Sequence, residues 1–282
     1  MLQKPQIWLL DTISKLPAKN FVRVFNAINT LTRRYAITTS TNTSIKSQKP
    51  FIVVSDTNDQ ITISQPGRLR LYRNGIASRL DVLFKNYLLR DITFNKGDIV
   101  VDCGANIGEL TKVLQQKYDV RAICIEPESR DAEAVRRNTD ARTTNVYETL
   151  LWDKNTTLDF FQNNQTGDSS VFQTGANETP ISKPAVTLEK LLSENPFYKQ
   201  KKRIKLLKVE AEGVEPEVLR GALPILTTVE YVTIDCGPER IVDGKRETTV
   251  TEVLEILNSA GFTPVKFNHR RIIFLFKNQA LV

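Results

Sequence analysis

The sequence predicts an α/β fold: a doubly wound, mostly parallel sheet with one antiparallel strand near its end, preceded by an N-terminal helical and β-hairpin appendage. Three observations carry this. From Gly97 to Phe262, short β-branched apolar runs alternate with amphipathic helical stretches, the pattern of parallel βαβ units. The first of these runs leads directly through Asp102-Cys103-Gly104-Ala105-Asn106-Ile107-Gly108 into a helix. The last two strand candidates, 263–268 and 271–277, are joined only by His269-Arg270, a link that permits nothing but an antiparallel hairpin.

Taken in chain order, residues 5–16 and 20–35 have helical spacing. Phe21, Val24, Phe25, Ile28 and Leu31 form one stripe, with Lys19, Arg23, Arg33 and Arg34 around it. Two readings stand: packing on its own domain or on a partner subunit of a homodimer, or a basic amphipathic segment resting on anionic lipid. Residues 36–50 are rich in Ser and Thr, end at Pro50, and read as a linker or loop. FIVVSD and QITISQ, separated by Thr57-Asn58-Asp59, read as a hairpin, and residues 76–90 return to helical spacing. The expected division is therefore 1–50 for the helical segment and linker, 51–90 for hairpin and helix, and 91–282 for the α/β domain. Within that domain the strand candidates are 99–103, 121–126, 144–150, 204–210 and 229–236, and the helices 107–118, 129–138, 214–226 and 248–260.

Composition narrows the function. The 282 residues are 40% hydrophobic and 25% charged, which excludes a wholly disordered chain. Lys+Arg 39 against Asp+Glu 32 gives +7, an excess that allows an acidic substrate or a membrane surface without demanding either. The single histidine, His269, sits in a turn and argues against Ser-His-Asp and Cys-His mechanisms and against multi-histidine metal sites, so no metal is expected. Cys103, Cys124 and Cys236 lie in separate apolar runs and read as buried thiols in a reducing compartment. There is no run long enough to cross a membrane and no secretory signal, so the expected location is the cytoplasm, with the inner membrane face as the alternative if residues 20–35 bind lipid.

The strongest motif is IVVDCGANIGELT, residues 99–111. The loop leaving the first strand of such a sheet is where a nucleotide-like ligand sits. Gly104 and Gly108 let the backbone approach it, with Ala105 and Asn106 between them, and Asp102 closes the strand as an acceptor. The spacing is neither G-x-G-x-x-G nor a phosphate-binding P-loop, which favours a ligand without pyrophosphate. Glu126, at the end of RAICIE and followed by Pro127, is placed to accept both hydroxyls of a ribose. Loop and acid together predict an adenosyl-ligand site.

With these residues in view, the chain resembles the FkbM-type methyltransferases. The resemblance rests on GDIVVDCGANIGELT, IEPES, LLWD, GDSS, VTLEKLL and LLKVEAEGVEPEVLRGA, in the family's order over roughly residues 65–268. It implies the class I Rossmann-like fold with a seven-stranded sheet, S-adenosylmethionine as cofactor, and methyl transfer to a hydroxyl of a saccharide, glycolipid or natural-product acceptor. Methylation at nitrogen of an amino sugar or peptide, and a non-catalytic Rossmann-like binding protein, are the alternatives.

In KVEAEGVE, Glu210, Glu212 and Glu215 follow a strand. If the strand conformation persists, Glu210 and Glu212 face the same side, where one is a candidate general base with a raised pKa and Lys208 a candidate ion-pair partner. The family usually carries Asp at the position of Glu210, one methylene shorter. Glu215 is read either as a substrate contact or as a helix N-terminal charge. Ser169 and Ser170 match the family's Ser-Ser loop and are expected to line the donor or acceptor pocket, the other reading being a self-bonded turn. Leu150 and Leu151 are the expected adenine contacts, with Trp152 assignable to the core. Arg79, with Arg68, Arg70 and Arg73, and the cluster Lys199, Lys201, Lys202 and Arg203 suit an acidic acceptor or lipid headgroup if they are not simply solvated. No aromatic-interleaved motif points to nucleic acid.

Overall fold

The computed structural model describes Val24 and residues 44–281, except 73, 163–168 and 174–178. Apart from Val24, the helices expected at 5–16 and 20–35 lie outside the described residues, and so do the lipid and subunit contacts attached to them. The chain divides into two compact units, residues 1–82 with 163–167, and residues 83–162 with 168–282.

In the smaller unit, β1 (Ser44–Gln48), β2 (Phe51–Ser55) and β3 (Gln60–Ile63) form an antiparallel sheet in that order. The expected hairpin is β2 and β3, with Val53 opposite Thr62. Asp56 shapes its turn: Oδ1 accepts the N–H groups of Asn58 and Asp59 at 3.1 and 3.0 Å. The expected loop at 36–50 ends instead in β1. A strand at a sheet edge needs only its backbone donors and acceptors, and Ser44, Lys46 and Gln48 supply these as well as apolar residues would. A 3-10 segment (Pro66–Tyr72) leads into helix α1 (Ile76–Asn86), and the division between the units falls within α1.

The larger unit holds a seven-stranded sheet. Its elements in chain order are β4 (Ile99–Cys103), α2 (Glu109–Tyr118), β5 (Arg121–Ile125), α3 (Ser129–Asn138) and β6 (Thr144–Tyr147). After an insertion come β10 (Ile204–Val209), α6 (Glu215–Arg220), α7 (Leu223–Leu226), β11 (Val229–Asp235), α8 (Val250–Ser259), β14 (Phe262–Asn268) and β15 (Ile273–Asn278). The order across the sheet is β14-β15-β11-β10-β4-β5-β6. All neighbours are parallel except β15, which is antiparallel to both β11 and β14. This is the doubly wound sheet with one reversed strand that the sequence predicts.

The helix expected at 214–226 is broken at Gly221, where a Cβ would lie 2.1 Å from the Trp152 carbonyl oxygen. The strand expected at 144–150 splits as well. Its second part, β7 (Leu150–Leu151), joins β8 (Thr156–Phe161) and β9 (Pro180–Val186) in a separate three-stranded sheet. The sequence hides β9 behind Pro180 and Pro184. Both are tolerated because β9 pairs with β8 alone until Ala185 meets Leu150. Short helices α4 (Leu188–Glu194) and α5 (Pro196–Lys201), and a small ribbon of β12 (Arg240–Val242) and β13 (Lys245–Glu247), complete the unit.

Val101, Ile123, Leu207 and Val232 from the central strands and Leu192, Val218, Leu226 and Leu257 from the helices are buried in one apolar cluster. At about 1.5–3 kcal/mol for each such side chain fully withdrawn from water, this cluster fixes where the strands end.

Candidate active site

Because β4, β5, β10 and β11 are adjacent and parallel, their carboxyl ends share one sheet edge. Four acids close these strands: Asp102, Glu126, Glu210 and Asp235. Two cations, Lys208 and Arg271, are interleaved with them.

The loop after β4 is fixed from below and turned by unusual backbone angles. The N–H groups of Gly104 and Ala105 both donate to the Ile125 carbonyl, at 2.9 and 3.1 Å. Gly104, Asn106 and Gly108 have φ of 74°, 50° and 81°, in the left-handed region. Gly104 is required twice over, since a Cβ there would also lie 1.9 Å from the Glu210 carbonyl oxygen. Glu126 braces this loop: Oε2 accepts from Asn106 N–H and Oε1 from Glu128 N–H, each at 2.8 Å. Burial, and after it the charge of Asp131, pushes its carboxyl up to about 8 despite those two hydrogen bonds. Asp102 Oδ2 accepts the Thr111 hydroxyl at 3.0 Å, and the Pro127 carbonyl accepts the Lys183 ammonium.

Leu150 and Leu151, expected against adenine, are both buried in apolar clusters: Leu150 with Phe160 and Ala185, Leu151 in the main core. The pairing of β7 with β9 brings Leu150 against Ala185 and Leu151 against Val186.

The register Lys208↔Asp102 sets the centre of the edge. Lys208 Nζ lies 3.1 Å from Asp102 Oδ1 and 3.2 Å from Glu210 Oε2, and donates to the carbonyls of Cys103 and Gly104 at 3.1 and 2.6 Å. Burial alone would depress this ammonium; the two carboxylates outweigh it and raise its pKa above the ordinary lysine value. Glu210 also accepts the Tyr87 hydroxyl on Oε2 and lies 3.2 Å from Arg271 on Oε1. Burial pushes its carboxyl up, but Lys208, Tyr87 and Arg271 together bring it below the ordinary value. The expectation of a base with a raised pKa therefore fails at Glu210. A carboxylate holding three donors is a weak proton acceptor.

Glu210 and Glu212 are not on a common strand face either. β10 ends at Val209, and Glu212 and Gly213 turn the chain with φ of 50° and 96°. Glu212 presents its carbonyl to the Ser170 hydroxyl at 3.2 Å, which brings the predicted serine loop onto this turn. Ser170 also bridges to Phe161, and half-buried Ser169 precedes it. Glu215 is buried and bonded inward. Oε1 accepts the N–H groups of Ala211 and Gly213 at 2.9 and 3.1 Å, and Oε2 the Thr249 hydroxyl at 3.0 Å. It shapes the turn, which corrects its assignment as a substrate contact. Burial lifts its carboxyl to about 7 against those bonds. Arg79 lies on α1, in the smaller unit.

Tyr87, Asp235 and Arg271 escaped the sequence reading. The register Asp235↔Ile273 delivers Arg271, whose Nη2 lies 2.9 Å from Asp235 Oδ2, so one guanidinium joins Asp235 to Glu210. A signal existed for Asp235: VTID closes its strand as IVVD closes β4. No local signal marks Tyr87 or Arg271. His269 is exposed in the hairpin turn. Among the described residues, no group of three or more His, Cys, Asp or Glu is arranged to hold a metal ion. Among them, too, no helix is long and apolar enough to cross a membrane.

A family model described as the methyltransferase FkbM domain matches residues 102–264. No curated protein matches the chain. Among solved structures, the chain is similar to a precorrin-6y C5,15-methyltransferase from Geobacter metallireducens, at 10% identity and TM-score 0.38, over 71% of this chain and 87% of that one. It is similar to a candidate tRNA methyltransferase of Streptococcus pneumoniae bound to S-adenosylmethionine, at 12% identity and TM-score 0.41, over 71% and 72%. A candidate RNA methyltransferase of Pyrococcus horikoshii matches at 14% identity and TM-score 0.37, over 77% and 86%.

Proposed function

The chain belongs to the FkbM methyltransferase family, and from that premise we propose that it transfers a methyl group to a hydroxyl of a saccharide, glycolipid or natural-product acceptor. S-adenosylmethionine is the donor. The residues after β4 and β5 suit it. Gly104 and Gly108 leave the loop backbone bare, and Glu126 uses two of its roughly four lone-pair sites on the N–H groups of Asn106 and Glu128, which leaves acceptor capacity for two ribose hydroxyls. When bound, the donor supplies an electrophilic methyl on a sulfonium that leaves as a neutral thioether.

The chain's own work is positioning and charge. Lys208 fixes the donor loop through the carbonyls of Cys103 and Gly104, and it neutralises Asp102 and Glu210 in the same place. Glu210, held by three donors, is a fixed negative charge that orients Arg271 and Tyr87. Holding two reactants in line accounts for much of the acceleration of such a displacement.

The observation that carries the hydroxyl reading is the Glu210–Arg271–Asp235 row beside the Ser170 loop. It is a line of fixed acceptors and donors of the kind that bind hydroxyls in pairs. Incubation with methyl-labelled donor and the saccharide, glycolipid and peptide fractions of a cell extract tests it. The expected product carries its label as a methoxy carbon by NMR. Label on nitrogen would assign the enzyme to amine acceptors, and failure to bind the donor at millimolar concentration would overturn the reading.

A further inference from the structure

Resting on the hydroxyl reading above, we propose that Glu239, in the loop after β11, is the catalytic residue that takes the proton from the acceptor hydroxyl.

Two glycines put it there. The first is Gly213, at the turn after β10. A Cβ at Gly213 would lie 2.5 Å from the Arg240 nitrogen and 2.9 Å from the Glu239 carbonyl carbon, so only glycine lets the Glu239–Arg240 backbone close onto that turn. The closure is fastened by Arg240, whose Nη1 donates to the Gly213 carbonyl at 3.0 Å and which grips Glu217 with two bonds of 2.9 and 3.0 Å. The second is Gly237. A Cβ there would lie 2.4 Å from both carboxylate oxygens of Glu239, so the side chain folds back over its own loop. Gly237 N–H meanwhile donates to Asp235 Oδ1 at 3.1 Å, so the residue over which the Glu239 carboxylate folds is itself bonded to Asp235, whose charge Glu239 feels.

The four acids that close these strands are already engaged. Asp102 is paired with Lys208, Glu126 braces the donor loop, Glu210 holds three donors, and Asp235 takes Gly237 N–H and Arg271. Glu239 is half-buried; its carboxylate takes a hydrogen bond from its own backbone N–H, and no side chain of the described residues donates to it or pairs with it. The charged groups that face it are Asp235 and Glu210, which disfavour its ionisation, and Arg271, which favours it. Burial, the largest influence, and these two acids together raise its carboxyl above the ordinary value. An acid poised upward, with no cation paired to it among the described residues, suits a general base better than Glu210 does. In the step, the acceptor O–H bond breaks as the O–CH3 bond forms and the donor's S–CH3 bond breaks. The proton passes to Glu239, the thioether leaves neutral, and Glu239 then loses its proton to water.

The test uses the full chain in three forms: wild type, Glu239→Gln and Gly237→Ala. Gly237 does not lie at positive φ, so alanine suits its backbone, and the added methyl displaces the Glu239 carboxylate without removing it. The expected results are a fall of about 10²–10⁴ in methyl transfer to the saccharide fraction for Glu239→Gln, and a smaller fall for Gly237→Ala. S-adenosylmethionine affinity by calorimetry should change less than about threefold in both, because the donor loop is untouched. Unchanged transfer by Glu239→Gln overturns the proposal. A second readout needs no acceptor: 13C NMR titration of the glutamate carboxyls in the donor complex, with Glu239 assigned by its loss in the variant. A Glu239 carboxyl titrating in the ordinary glutamate range overturns the proposal even if no acceptor is found. If wild type binds donor yet labels only amines, the hydroxyl reading fails, and this proposal fails with it for a different, visible reason.

Discussion

Glu126 shows what one residue contributes to both binding and stability. Its carboxyl is lifted from 4.5 to about 8 by burial, so the folded state holds the proton more tightly than the unfolded state between those values. The sign follows: the stability this group contributes is present in acid and is lost as pH rises through about 8. Donor binding runs the other way, because two ribose hydroxyls need the carboxylate. Affinity for S-adenosylmethionine should strengthen by up to about tenfold per pH unit below pH 8, level off above it, and release a proton. Calorimetry in two buffers of different ionisation heat measures both; a pH-independent Kd refutes it. Lys208 gives a second test at this scale. Lys208→Met leaves Asp102 and Glu210 facing each other buried, and the expected loss is about 3–5 kcal/mol in a urea denaturation. Asp102, Gly104 and Glu126 were legible because each closes or opens an element in its own stretch of sequence. Tyr87 and Arg271 were not, since they reach Glu210 across 123 and 61 residues, Tyr87 from the turn after α1 and Arg271 through the register of the last hairpin.

Among elements, the turn between β10 and α6 depends on a carboxylate that the sequence presents as one of three similar glutamates. Glu215 is the one whose carboxylate caps the turn itself, on Ala211, Gly213 and Thr249. Glu215→Ala strips the acceptor from two backbone N–H groups and should destabilise the chain by about 2–4 kcal/mol, measured by thermal or urea unfolding. Glu215→Gln keeps one acceptor and should recover part of this. Gly104→Ala is the sharper test of the donor loop. Its methyl meets the Glu210 carbonyl, and donor binding should fall below detection while far-UV dichroism stays near wild type. The parallel strands were legible because burial on both faces writes them as continuous apolar runs. The sheet of β7, β8 and β9 was not. Its strands alternate weakly and contain prolines.

For the whole molecule, the doubly wound parallel sheet and its reversed strand follow from the alternation of elements and the brevity of the last link. The division of the chain moves: the larger unit starts at Leu83, eight residues before the expected 91. Those eight include Tyr87, whose hydroxyl reaches Glu210 and whose carbonyl accepts the Thr233 hydroxyl at 2.8 Å. A chain beginning at residue 83 should therefore bind S-adenosylmethionine within about threefold of the full protein, and one beginning at 91 should bind it at least about tenfold more weakly. Equal binding by both would show that Tyr87 is dispensable. The net +7 is partly locked away. Lys201, Arg203 and Lys205 are paired with Asp98 and Glu230 around a cavity of about 360 Å³ at the opposite, amino-terminal edge of the sheet.

Arg271 comes from the turn between β14 and β15, the last strands of the sheet to be synthesised. During translation, Glu210 and Asp235 emerge from the ribosome well before the guanidinium that joins them. Until that hairpin docks, two acids face each other on a half-built sheet with Lys208 as their nearest counter-charge. The guanidinium that completes the row is thus the last of its members to be made, and it takes its place only when β15 slots between β14 and β11.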